Sequence, residues 1–323
     1  MICGPIPPSF LSIFRQGRRA PQSRTAFIVN NIQRIDKSMI IIKEAAELES
    51  FVAREKNNGR SIGFVPTMGA LHEGHISLVK RCVEENDTTV VSVFVNPTQF
   101  NNPDDLATYP RNEEADAKLL ARAGATVMFL PSVEQIYPDG TISTHSFRLG
   151  TAAEVMEGKF RPGHFQGVAQ VVSRLFSLVR PVRAYFGEKD FQQIAVIRNM
   201  VESEGIGVDI IACPIRRDAD GLALSSRNAL LSPEQRAIAP EIHKALEESR
   251  KYAHTHSLQA THDTVVEYLD AQPHLRVEYF EIVDGRTLMP VEDWAESPWI
   301  VGCITVYCGN VRLIDNITYK QES

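Results

Sequence analysis

Two histidines three residues apart, His72 and His75 in the stretch FVPTMGALHEGH, close an apolar run and stand where a helix begins. At this spacing both rings point the same way, and Gly69 and Gly74 let the backbone come close to an anion, the make-up of a phosphate site at a helix N-terminus. The rival readings are a metal site and a purely structural turn; His-Glu-Gly-His lacks the HExxH zinc spacing and has no short-spaced third ligand. A second cluster, GLALSSRN over Gly221 to Asn228, carries Ser225, Ser226 and Arg227. Two hydroxyls and a planar cation suit the β- and γ-phosphates of a nucleotide, while SSR on its own is most often a solvated turn. Paired with the upstream histidines, it becomes the second half of an ATP clamp. Lys189, in GEKD after strand-like VRAYF, either joins that clamp or is an ordinary surface lysine.

Such groups must be brought to one place by the elements that carry them. From Met39 onward, short apolar runs (SIGFVP, TTVVSVFVN, TVMFLP, VRAYF, VDIIAC) alternate with helix-period segments. Ile76, Val79 and Val83 mark one helix face, and Val168, Val171, Val172, Leu175 and Val179 another. Strands that are apolar on consecutive residues belong to a parallel sheet covered on both faces. The expected fold class is therefore α/β, a Rossmann-like doubly wound parallel sheet, with ligands at the carboxyl ends of its strands. After Cys213 the order changes to helices, the first opening at Ser232 and Pro233, and then to strand-like LRVEYFEIVD, WIVGCITVYC and VRLIDN. That reads as a smaller C-terminal α+β domain. The expected domains are residues 1–38, 39–213 and 214–323, the last forming a lid over the site. No acidic residue precedes Asp36, which gives the first segment a superficial look of a transit peptide. It reads better as a disordered extension or an upstream-start artefact.

The 323 residues are 43% hydrophobic and 23% charged, enough for one large or two ordinary domains. A net charge of −6 offers no global field for nucleic acid, so an anionic substrate must be met by a local cluster of cations. The five cysteines form no CxxC pair and no even framework, which fits a reducing compartment, and no apolar run has the length of a membrane span. A cytoplasmic protein without nucleic-acid or membrane partners is expected.

With PTMGALHEGH, VSVFVNPTQFNNPDDLATYPR, EGKFRPGHFQGV, YFGEKDFQQ and DGLALSSRN in this order, the chain from about Met39 onward resembles the pantothenate synthetases, the pantoate–β-alanine ligases of the HxGH nucleotidyltransferase superfamily. The resemblance implies a homodimeric ligase of pantothenate biosynthesis. Pantoate and MgATP would give pantoyl adenylate and pyrophosphate, and β-alanine would then displace AMP. It implies an ATP site at Met68, Gly69, Ala70, Leu71, His72, Glu73, Gly74 and His75, at Gly187, Glu188, Lys189 and Asp190, at Arg216, and at Leu224, Ser225, Ser226 and Arg227. His75 would be the acid or proton donor, with His72, Lys189 and Arg227 beside it. Gln99 would bind pantoate and β-alanine, and Gln193 pantoate; an amide both donates and accepts, so it can serve a hydroxyl and a carboxylate together. Arg216 stands where relatives often carry an aliphatic residue, but the implied contact to adenine is through its backbone. Arg161 and His164 either touch the substrate or order their loop. Asp116 is placed to reach Mg²⁺ through water, and no direct ligand to Mg²⁺ is evident.

A carboxylate is already ionised at neutral pH, so its attack on the α-phosphorus needs no general base, and the chain shows no Ser-His-Asp motif. The demand is electrostatic. A nucleotidylyltransferase that leaves AMP on a phosphorylated acceptor would want further basic residues. A non-enzymatic nucleotide sensor would have no use for both histidines together with Lys189 and Arg227.

Overall fold

A computed structural model describes residues 33–35, 39–142 and 145–322. Seven strands form the main sheet: β1 (Gln33–Ile35), β2 (Met39–Ile42), β3 (Ile62–Thr67), β4 (Thr88–Val93), β5 (Val127–Phe129), β6 (Arg183–Gly187) and β7 (Asp209–Cys213). Their order is β1-β2-β5-β4-β3-β6-β7, with β2 to β7 mutually parallel. The chain winds from β3 through β4 to β5 in one direction and from β6 to β7 in the other. The topological switch point, where ligands bind in such sheets, therefore lies between β3 and β6.

Alternate residues of these strands feed two different cores. Ile42, Phe64, Val90, Phe129 and Phe186 pack with α1 (Ala45–Asn57), α7 (His164–Val179) and α8 (Phe191–Ser203). Ile41, Val65, Val91, Met128 and Tyr185 pack with α2 (Glu73–Glu85) and α4 (Glu113–Ala123). Both faces are covered, which is why β4 is buried along its whole length and why its sequence shows no polar alternation. Among the smaller helices, α3 (Pro103–Thr108), α5 (Val133–Ile136) and α6 (Glu157–Phe160) sit in the connections.

Beyond β7 come α9 (Pro233–Ile238), α10 (Glu241–Tyr252) and α11 (Leu258–Asp270), then an antiparallel sheet of β8 (Leu275–Asp284), β9 (Trp299–Cys308) and β10 (Val311–Gln321) with β9 in the centre. Ser232 caps α9 in a reciprocal box with Gln235, followed by Pro233 at the first turn. One face of this small sheet, through Phe280, Ile282, Ile300 and Ile304, forms a separate core with α10 and α11. The other face, through Tyr279, Val283, Val301 and Cys303, belongs to the core under the main sheet.

One boundary differs from the sequence reading. Residues 33–35, expected to lie outside the fold, pair antiparallel with β2, Gln33 opposite Ile41. Three residues are too few for a periodicity to register. Residues 1–32 and 36–38 of the expected extension lie outside the described residues. No helix among the described residues is long and apolar enough to cross a membrane.

Candidate active site

β3 ends at Thr67, and the chain then makes a tight turn into α2. Gly69 and Ala70 both take positive φ, +82° and +49°, and an added Cβ on Gly69 would lie 3.0 Å from Asp116 Oδ2. The turn is held by that carboxylate: Asp116 Oδ2 accepts from Ala70 N (2.9 Å) and Oδ1 from Leu71 N (2.7 Å). Asp116 is buried, which raises its carboxyl pKa, and the two amides oppose that shift by favouring the ion. Each oxygen is engaged with one backbone amide, so the contacts the structure shows for Asp116 are structural.

At the start of α2 the histidines cap the helix reciprocally. His72 Nδ1 accepts from Gly74 N (3.2 Å) and His75 Nδ1 from His72 N (3.4 Å). With both Nδ1 atoms serving as acceptors, the ring proton of each sits on Nε2, leaving one N–H donor per ring. The ring centroids are 4.1 Å apart. Gly74 is required here, since a Cβ would sit 2.8 Å from the His72 ring. Burial, then the charge of Lys189, lowers the pKa of His72 to about 4; burial, then His72 and Lys189, holds that of His75 well below the ordinary value. Both rings are neutral near pH 7 and donate a hydrogen bond without giving up a proton.

The histidines open onto a cavity of about 200 Å³ at the switch point, lined also by Met68, Gln99, Gly187, Lys189, Asp190, Gln193, Arg216, Leu224, Ser225, Ser226 and Arg227. It adjoins a cleft of about 900 Å³ that reaches β8, β9 and β10 and shares Lys189, Asp190, Gln193, Ser225 and Arg227 with it. The fold thus brings together most of the residues singled out from the sequence. Gly69, Ala70, Leu71, Glu73 and Glu188 line neither space. The amides of Ala70 and Leu71 face Asp116, Glu73 is exposed, and the Glu188 carbonyl accepts from Asn316 Nδ2 (2.8 Å).

The loop bearing Ser226 and Arg227 is tied to the histidine turn, since Ser226 Oγ donates to the Ala70 carbonyl (3.0 Å). Arg227 is paired with Asp105 (2.9 Å) and lies over the Tyr109 ring, two partners that the sequence reading did not find. The Arg216 carbonyl accepts from Leu224 N (2.9 Å), which ties this backbone to the loop that carries Ser225 and Ser226.

Gln99 ends a short 3₁₀ turn after β4, Pro97–Gln99, capped by Asn96. Asn96 Nδ2 donates to Gln99 Oε1 (3.1 Å) and to the Gly167 carbonyl (3.1 Å). Gly167 lets α7 approach closely, since a Cβ there would lie 2.2 Å from the Thr98 carbonyl oxygen. Arg161 Nη2 (3.3 Å) and His164 Nδ1 (2.8 Å) both donate to the Gln99 carbonyl. Of the two readings of this pair, ordering of the loop is the one these contacts carry. Burial, then Arg161, lowers the pKa of His164 to about 4, so its ring too is neutral and its Nε2 can accept from Arg161 Nη1 (3.3 Å).

Gln193 makes no side-chain hydrogen bond among the described residues and faces both spaces. Its neighbour Gln192 is buried and structural: Nε2 donates to Ala152 O (2.7 Å) and Val155 O (2.8 Å), and Oε1 accepts from Glu157 N (3.0 Å).

The described residues hold no group of three or more His, Cys, Asp or Glu suited to a metal ion. Of the carboxylates nearby, Asp116 and Asp105 are already engaged, and Asp190 lies 3.5 Å from Lys189 Nζ. The donor set suits a hydrated Mg²⁺ that arrives with a triphosphate rather than a resident ion.

The family model described as pantoate-beta-alanine ligase matches residues 40–318. The chain is 59% identical over 282 residues to a pantothenate synthetase of Porphyromonas gingivalis, covering 87% of this chain and all of that one. It is 55% identical over 284 residues to that of Bacteroides fragilis, covering 88% and 100%. A pantothenate synthetase structure from Thermus thermophilus superposes with a TM-score of 0.81 at 45% identity, over 87% of this chain and 99% of that one. A pantoate-beta-alanine ligase from Francisella tularensis, solved with β,γ-ATP and β-alanine, gives 0.73 at 37%, over 87% and 98%. The switch-point cavity and these likenesses agree: the chain belongs to the pantoate–β-alanine ligase family.

Proposed function

We infer that this protein is a ligase that condenses pantoate with β-alanine to pantothenate, driven by ATP cleavage to AMP and pyrophosphate. The observation that carries the reading is the cavity between β3 and β6. There a set of cations and N–H donors (His72, His75, Lys189, Arg227) faces two amide side chains, Gln99 and Gln193. In the first step a pantoate carboxylate oxygen attacks the α-phosphorus. The P–O bond to pyrophosphate breaks, and negative charge grows on oxygens that the Nε2–H groups of His72 and His75 can reach without a proton transfer. His75 acts here as a neutral hydrogen-bond donor, a narrower part than that of an acid. Lys189 and Arg227 balance the leaving pyrophosphate. Gln99 and Gln193 bind the hydroxyl and carboxylate oxygens of pantoate. In the second step the neutral β-alanine amine bonds to the acyl carbon, the C–O bond to AMP breaks, and the surplus amine proton leaves to the departing AMP or to water.

Mg²⁺ would enter with ATP and neutralise phosphate charge. The small sheet acts as the lid. Four of the cysteines, Cys82, Cys213, Cys303 and Cys308, are free and buried, which supports a cytoplasmic setting. Homodimerisation rests on the family resemblance alone. The test is incubation with ATP, Mg²⁺, pantoate and β-alanine, with mass analysis of products, together with exchange of labelled pyrophosphate into ATP. Exchange that requires pantoate but not β-alanine is expected; exchange that requires β-alanine would rule out the adenylate.

A further inference from the structure

We propose that Asp105 is a positioning residue for the triphosphate: it clamps one edge of Arg227 so that the opposite fork of the guanidinium is presented to the β- and γ-phosphates. The proposal rests on the reading of the site as an ATP site and adds a residue to it.

The clamp is side-on. Arg227 Nε donates to Asp105 Oδ1 (3.3 Å) and Nη2 to Oδ2 (2.9 Å). A guanidinium carries five N–H groups in one plane, so two of them are used on this edge. The two on Nη1 and the second on Nη2 point away from Asp105, and Nη1 makes no hydrogen bond among the described residues. That free fork matches two oxygens of a phosphate. Asp105 lines the wider cleft only, whereas Arg227 lines both the cleft and the histidine cavity, so the clamped arginine stands where the two spaces meet.

The rest of the arginine is fixed as well. Tyr109, from the end of the segment that carries Asp105, places its ring 5.6 Å from the guanidinium carbon. The loop backbone is anchored one residue earlier by the Ser226 contact to Ala70. Arg227 is thus held at its root by the histidine turn and at its head by α3. Asp104, the neighbouring carboxylate, also lines the cleft but is exposed and forms no ion pair among the described residues.

The test compares binding of ATP and of AMP to the full chain by calorimetry for the wild type, Asp105→Asn, Asp105→Glu and Asp104→Asn. AMP lacks the phosphates that Arg227 would hold. Asp105→Asn is expected to weaken ATP about ten-fold or more, the scale of one hydrogen bond to a charged group, and to leave AMP unchanged. Asp105→Glu should recover part of the loss, and Asp104→Asn should match the wild type. In pyrophosphate exchange the Asn variant should show a raised KM for ATP with KM for pantoate unaltered. Equal weakening of ATP and AMP would overturn the proposal by showing a general structural defect. Tighter ATP binding would overturn it by showing that Asp105 competes with phosphate. A wild type that binds ATP but exchanges no pyrophosphate would sink the ligase reading and leave the binding comparison to decide the role of Asp105.

Discussion

Gln192 and Gln193 show how far residue type alone carries. They are adjacent and identical in chemistry, yet one satisfies three backbone groups and the other faces the cavity without a side-chain hydrogen bond among the described residues. Gln193→Ala is therefore expected to raise KM for pantoate by the equivalent of about 1.5–3 kcal/mol while KM for ATP and the urea midpoint stay put. Gln192→Ala should do the reverse, lowering the midpoint because two carbonyls and one amide lose their partners. Similar stability losses in both would remove the distinction. His72, His75, Lys189, Gln99 and Gln193 were legible because their motifs match a family. Asp105 and Asn316 were not, since each acts on a group more than a hundred residues away and neither lies in a pattern that names its partner. The true partners of Asp116 were equally hidden, because a carboxylate aimed at backbone amides looks in sequence like any helix-surface acid.

At the scale of elements, the strands were readable because burial on both faces writes itself as consecutive apolar residues, as in β3 and β4. The connections were not, because α3 and β1 are too short to show a period. Yet a connection sets the position of Gln99. The turn at Pro97–Gln99 is pressed against α7, and Gly167 is the point of contact. Gly167→Ala must displace either the helix or the turn, a strain of about 1–3 kcal/mol. The expected result is a lower thermal midpoint together with weaker pantoate binding, read as KM for pantoate rising more than KM for ATP. An alanine variant with unaltered pantoate dependence would show that the turn can shift without moving Gln99.

Across the whole molecule, ionisable groups join the small sheet to the connections of the main one. Glu157 on α6 accepts from Arg312 Nη1 (2.8 Å) and Nη2 (2.5 Å) on β10 and from the Tyr279 hydroxyl (2.8 Å) on β8. Burial alone would raise its pKa, but the Arg312 contacts lower it to about 2. Its contribution is present above the unfolded value near 4.5 and is lost as pH falls toward 2. His72 and His164, both lowered to about 4, act in a higher window. Between about pH 6.5 and pH 4 the unfolded chain binds protons that the folded chain refuses, so stability falls with pH there. His164 alone amounts to about 2 kcal/mol by pH 5. The urea midpoint should drop between about pH 7.5 and pH 5 with its slope unchanged; a flat midpoint would mean these rings titrate normally. One cross-sheet contact also bears on the order in which the protein is made. Asn316 on β10 donates to the carbonyls of Glu188 and Lys189, and 128 residues separate it from the first of these. A chain emerging from the ribosome completes all seven strands of the main sheet well before that amide exists. Until β10 arrives, the backbone that carries Lys189 lacks its anchor, and the wall of the switch-point cavity remains unfinished.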